Sequence, residues 1–114
     1  RDKSFAFAVR MVNLYKFLTS EKKEYVLSKQ LLRSGTAIGA MVWESSQAES
    51  RADFIHMLSI ALKEANESDY WLLLLYKTEY LQTSEFDSLY ADIKELLKIL
   101  TNIINTTKRK RVDS

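Results

Sequence analysis

At 114 residues the chain fits a single domain, and a composition 46% hydrophobic and 28% charged excludes a disordered segment. No Pro and only two Gly leave too few turn residues for a β-rich fold, and the lack of Cys removes disulfides, thiolate nucleophiles and the usual zinc sites. The net charge of +2 sits in the run Lys108-Arg109-Lys110-Arg111; without those four, thirteen basic residues face 15 acidic ones, a net of −2, which argues against a body that wraps nucleic acid over its whole surface.

Helical periodicity first appears over Lys3–Leu18, where Phe5, Ala8, Val12 and Tyr15 recur at spacings of three and four and Val9 widens the stripe. This stripe is the expected buried face. The polar stretch Thr19–Lys23 reads as a loop. A second helix is expected over Tyr25–Ser46, with Leu27, Leu31, Ser34, Ile38 and Met41 on one face and Ala37 and Val42 beside it. Gly35 and Gly39 lie inside this helix, each costing about 1 kcal/mol against Ala. With Ala40 they offer a surface of small residues that another backbone can approach closely.

Ser46–Glu49 makes a short connection, and Ser50 reads as an N-cap with Asp53 three residues on. The third helix is expected over Arg51–Leu81, about 45 Å long, with Phe54, Leu58, Ala61, Ala65, Leu72 and Tyr76 as its main face. A second cap-like pattern, Thr83-Ser84-Glu85-Phe86-Asp87, introduces the cleanest stripe of the chain. It comprises Phe86, Leu89, Ile93, Leu96, Leu97, Leu100, Ile103 and Ile104, and the helix is expected to end near Thr107. Four helices with short connections pack most simply as an antiparallel up-down-up-down bundle over residues 1–107, leaving 108–114 as a basic, disordered tail.

Helices two and three carry more apolar surface than one bundle core uses. The run Trp71–Tyr76 reaches more than halfway round helix three, and Trp43 sits beside the seam of helix two. Trp43, Trp71, Leu74 and Leu75 are therefore the expected contacts of a homo-oligomer.

Gln30–Ala40 and Asp53–Glu67 together resemble the bacterial four helix bundle protein family, also called the ribosomal RNA intervening-sequence protein family. The accessory proteins of diversity-generating retroelements are similar in fold. The resemblance covers almost the whole chain and is most specific in helix two and the first half of helix three. It implies a bundle that assembles as a ring-shaped pentamer, with RNA or a nucleic-acid enzyme as the candidate partner. The family pattern of an Arg in helix two, a Glu near its end and a Glu in helix three falls on Arg33, Glu44 and Glu67. Met41 stands where the family usually has Asn, and Ser45 where it usually has Gly.

Arg33 has no acidic neighbour along its own helix from Ser34 to Ala40, so the bland reading pairs it structurally with Glu44 or Glu67 across a helix or subunit contact. Glu44, Glu64, Glu67 and His56 invite a metal site. Di-iron bundles, however, need two Glu-x-x-His motifs, and the chain has one His, so no metal, cofactor or catalytic site is expected. Tyr70, Trp71 and Tyr76 with Lys63 and Lys77 suggest an aromatic–basic platform, against the simpler reading of rings that fill a core and an interface. Lys108, Arg109, Lys110 and Arg111 are the candidate nucleic-acid contacts by charge, against a frayed, solvated C-terminus. The expectation is a non-catalytic, oligomeric, cytoplasmic protein, possible RNA binding included; the alternative is a purely protein-binding or structural oligomer. No signal peptide or membrane span is visible, and a first residue of Arg1 leaves room for residues upstream.

Overall fold

The structure, a computed structural model, describes residues 1–113, with side chains described to Lys110. It comprises α1 (Asp2–Ser20), α2 (Leu27–Ser45), α3 (Arg51–Lys77) and α4 (Thr83–Asp113). Each helix packs against the next and α4 returns to α1, giving the antiparallel up-down-up-down bundle. Among the described residues there is no strand.

The connections are made by local chemistry. Glu24, buried between α1 and α2, caps the start of α2: Oε1 accepts from the N–H groups of Val26 and Leu27, and Oε2 from that of Ser28. Three of the four N–H groups a helix start leaves unpaired thus share one carboxylate. Burial alone would raise the Glu24 pKa, but these backbone donors hold it below its ordinary value. At α3, Ser50 Oγ accepts from Asp53 N–H at 3.0 Å, and the Asp53 carboxylate accepts from Glu49 N–H at 3.2 Å. The start of α4 is similar, with the Glu85 carboxylate accepting from Gln82 N–H.

α3 stops at Lys77, four residues short of the Leu81 read from the sequence. Glu79 takes a left-handed φ of 70°; its N–H donates to Tyr76 O and that of Tyr80 to Leu75 O. This closes the helix as a Schellman turn, with Glu79 in the place usually held by Gly.

The core face of α1 is a correction to the sequence reading. The buried stripe is Ser4, Phe7, Met11, Leu14 and Leu18, whereas Phe5, Val9 and Val12 face outward, with Phe5 60% exposed. Both stripes have helical spacing, and contact with α2 selects between them. A methyl group on Gly35 would strike the Met11 side chain, and one on Gly39 would lie 3.2 Å from the carbonyl oxygen of Ser4. The two glycines thus let α1 and α2 approach closely, which offsets their cost in helix propensity.

The other helices follow the expected stripes more closely. Leu31, Ser34 and Ile38 of α2 are buried, as are Leu58, Ala61, Ala65 and Leu72 of α3. In α4, Phe86, Leu89, Ile93, Leu96, Leu100 and Ile104 are buried, while Ile103 is 39% exposed. Ser34 and Ser68, both fully buried, are joined across α2 and α3 by a 3.0 Å hydrogen bond.

α4 does not end near Thr107. It continues to Asp113, past the boundary at 107 expected between bundle and tail. No Pro or Gly interrupts the stretch, Lys and Arg are good helix formers, and cations favour a helix C-terminus. Because Lys3 pairs with Glu95, the first turn of α1 sits beside the middle of α4. Arg1–Ser4 lie beside Leu96, Ile99, Leu100 and Ile103, so the last ten or so residues of α4 extend roughly 15 Å past the start of α1, with α3 alongside.

Candidate nucleic-acid interface

The run Lys108–Arg111 falls on the part of α4 that extends past α1. Lys108, Arg109 and Lys110 are exposed, and Arg109 Nη2 donates to Thr106 Oγ1 at 3.2 Å. The side chain of Arg111 lies outside the described residues. From Leu96 to Val112 the chain contains no Asp or Glu, and exposed Lys98 adds a further cation. Glu95 bounds this stretch and is itself tied to Lys3 at 2.8 Å. Phe54 of α3 lies against the stretch, lining a shallow depression with Asn102, Ile103, Thr106, Thr107 and Lys110.

Arg33 pairs with Glu64 at 2.9 Å and with Glu67. Glu44 does not join this group, because it lies eleven residues along the same helix, about 16 Å away. The Arg33 side chain is 53% exposed, so the cluster is a surface ion pair worth under about 1 kcal/mol and not a buried network. Burial opposes its charge, but Glu64 and Glu67 together outweigh that and raise its pKa. Glu67 also accepts from Trp71 Nε1 at 3.2 Å, which orients the half-buried indole. Asp69 pairs with Lys94 at 2.8 Å. Hydrogen bonding to Asp69 raises the pKa of both Lys94 and Tyr90.

The residues expected at an oligomer contact are divided by the structure. Trp43 is 56% exposed, with the Arg1 guanidinium 4.2 Å above its ring. Trp71 and Leu74 are half-buried. Leu75 is fully buried in the subunit's own core, so it is removed from the expected contact, while Leu73, two residues back, is exposed. The outward stripe of α1 adds residues the sequence reading had placed inside. Phe5 and Ala8 line an apolar depression with Thr36, Gly39, Ala40 and Trp43 of α2.

The aromatic platform does not form as one surface. Tyr70 is exposed and meets Trp71 edge to face at 4.9 Å, whereas Tyr76 stacks on Phe86, which stacks on Tyr90. His56 is exposed on α3, and among the described residues no three His, Cys, Asp or Glu side chains are grouped to hold a metal. None of the described helices is long and apolar enough to cross a membrane.

Residues 1–102 match the family described as 23S rRNA-intervening sequence protein. A solved structure from Bacteroides thetaiotaomicron VPI-5482, described as a protein of unknown function from the S23 ribosomal protein family, superposes with a TM-score of 0.89. It is 60% identical, over 90% of this chain and 95% of that one. No curated protein matches the chain.

Proposed function

Because the chain belongs to the 23S rRNA-intervening sequence protein family, we propose that it is a non-catalytic bundle that self-associates and acts as a nucleic-acid-associated adaptor. The observation that carries this reading is the C-terminal part of α4: seventeen residues, Leu96–Val112, without an acid, ending in four successive cations on a helix that projects beyond α1. Such a segment attracts phosphate backbones through counterion release. One subunit binds weakly, and several subunits, five by the family resemblance, gain through avidity.

The test is binding of random-sequence RNA and random-sequence DNA duplex to the full chain at 50 and 200 mM salt. Four phosphate contacts predict a loss of roughly 50-fold or more over that interval. Replacing Lys108, Arg109, Lys110 and Arg111 by Ala is expected to remove most of the binding. Retention of neither polymer, or retention indifferent to salt and to the four substitutions, overturns the reading.

The alternative, a protein-binding or structural oligomer with no nucleic-acid role, is favoured by the outward apolar stripe. Phe5, Val9 and Val12 of α1 and Trp43 of α2 are exposed apolar side chains of the kind that marks subunit contacts. Light scattering is expected to report an oligomer for the parent chain and a smaller species for Val9→Asp. A monomeric parent removes the self-association from both readings.

A further inference from the structure

The exposed side of α4 is more ordered in chemistry than a basic tail. Lys98, Asn102, Asn105 and Arg109 follow one another at spacings of four, three and four, and all four are exposed. At 100° per residue they fall within about 60° of one another, on the side opposite the buried Leu100 and Ile104. Lys108 and Lys110, also exposed, lie about 100° to either side of Arg109. Thr101 and Thr106 fill the space between centre and flanks. The face therefore has two amides and a guanidinium along its middle and an ammonium on each flank, with no carboxylate among them.

We infer that this face is built to enter the major groove of B-form duplex DNA, with Asn102, Asn105 and Arg109 against base edges and Lys108 and Lys110 on the phosphates of the two groove walls. The inference rests on the nucleic-acid reading of α4 given above. Groove shape decides the kind of duplex. The B-form major groove is about 12 Å wide and admits an α-helix, whereas that of A-form RNA is too narrow for one. A flat contact with one strand would use cations on one side of a helix; cations on both flanks suit a helix lying between two walls. The amide of Asn pairs in two-point fashion with adenine, and the guanidinium of Arg with guanine. The stretch from Lys98 to Arg109 is about 16 Å long, enough for four or five base pairs at the spacing of B-DNA. The face is accessible: Lys98, Asn102, Asn105, Lys108, Arg109 and Lys110 are all exposed, while Arg1–Ser4 of α1 lie against the other side of α4, beside Leu96, Ile99, Leu100 and Ile103.

The test selects preferred sites from a randomised DNA duplex library with the full chain. It then measures affinity for the selected duplex, a random DNA duplex, the RNA duplex of the selected sequence and its single strands. The selected DNA is expected to bind at least tenfold more tightly than the RNA duplex or the single strands. Asn102→Ala with Asn105→Ala is expected to lower selected-site affinity about tenfold while leaving random-duplex affinity within twofold. Lys108→Ala with Lys110→Ala should weaken both duplexes alike and flatten the salt dependence. All four positions are exposed, and an unchanged circular dichroism spectrum confirms folding. RNA bound as tightly as DNA, or the Asn pair without effect on selectivity, overturns this inference and leaves the adaptor reading standing; no binding to any of the polymers overturns both.

Discussion

The two flanks of α1 are held in different ways. Toward α2, Gly35 and Gly39 remove the side chains that would keep the helices apart, so Met11 and the backbone of Ser4 pack directly against them. Toward α4 the helices approach closely at few points. The seam is bridged instead by exposed polar groups, Lys3 to Glu95 and Arg10 to Asp92, with Arg10 Nη2 also donating to Ser88 Oγ at 2.9 Å. Close packing is sensitive to one added methyl group, while solvated ion pairs contribute little each and tolerate loss. α1 is thus fastened chiefly to α2.

The sharpest way to break this asymmetry is to add bulk on the tight side. Gly39→Leu drives a side chain into the Ser4 backbone, which cannot move aside as a side chain can. A loss of about 2–3 kcal/mol is expected in urea unfolding, despite the gain in helix propensity. Retained stability would mean that the close approach of the two helices is not what holds α1. A smaller effect, about 1–2 kcal/mol at neutral pH, is expected from Glu24→Ala, which leaves the first turn of α2 uncapped beside α1.

Glu24 also sets a pH dependence. Its folded pKa lies below the unfolded value near 4.5, so its contribution is complete above that value and is lost as pH falls through the folded pKa. Glu24→Gln should therefore flatten the stability profile below about pH 4.5, and an unchanged acid limb would dismiss this role. The smallest effect belongs to the other flank. Arg10→Ala is expected to cost at most about 1 kcal/mol, and less as salt rises. A loss matching that of Gly39→Leu would show the two sides to be equivalent.

Much of this architecture was legible in the residues themselves. The stripe from Phe86 to Ile104 predicted most of the buried face of α4: Phe86, Leu89, Ile93, Leu96, Leu100 and Ile104 are all inside. Ser50 with Asp53 announced the start of α3, since an N-cap needs only neighbours in sequence. The end of α3 was less visible: Glu79 carries no Gly-like signal for a left-handed turn. At the candidate interface, the four cations were evident by composition. Their placement on a continuing helix, which gives the Lys98–Asn102–Asn105–Arg109 row its alignment, depended on where α4 stops.

The partners of Arg33 show a similar limit. Spacing along α2 could not say which carboxylate on another helix would meet it, and the register between α2 and α3 brought Glu64 and Glu67 within reach and left Glu44 about 16 Å away.

The sequence by itself determined that four amphipathic helices would form and stack, because period and capping are properties of neighbouring residues. Which side of α1 is inside was decided only in three dimensions. Phe5, Val9 and Val12 are as apolar and as helically spaced as Phe7, Met11 and Leu14. The second set is buried because Gly35 leaves room for Met11 and Gly39 for the turn at Ser4, a fit between two helices that neither helix encodes alone.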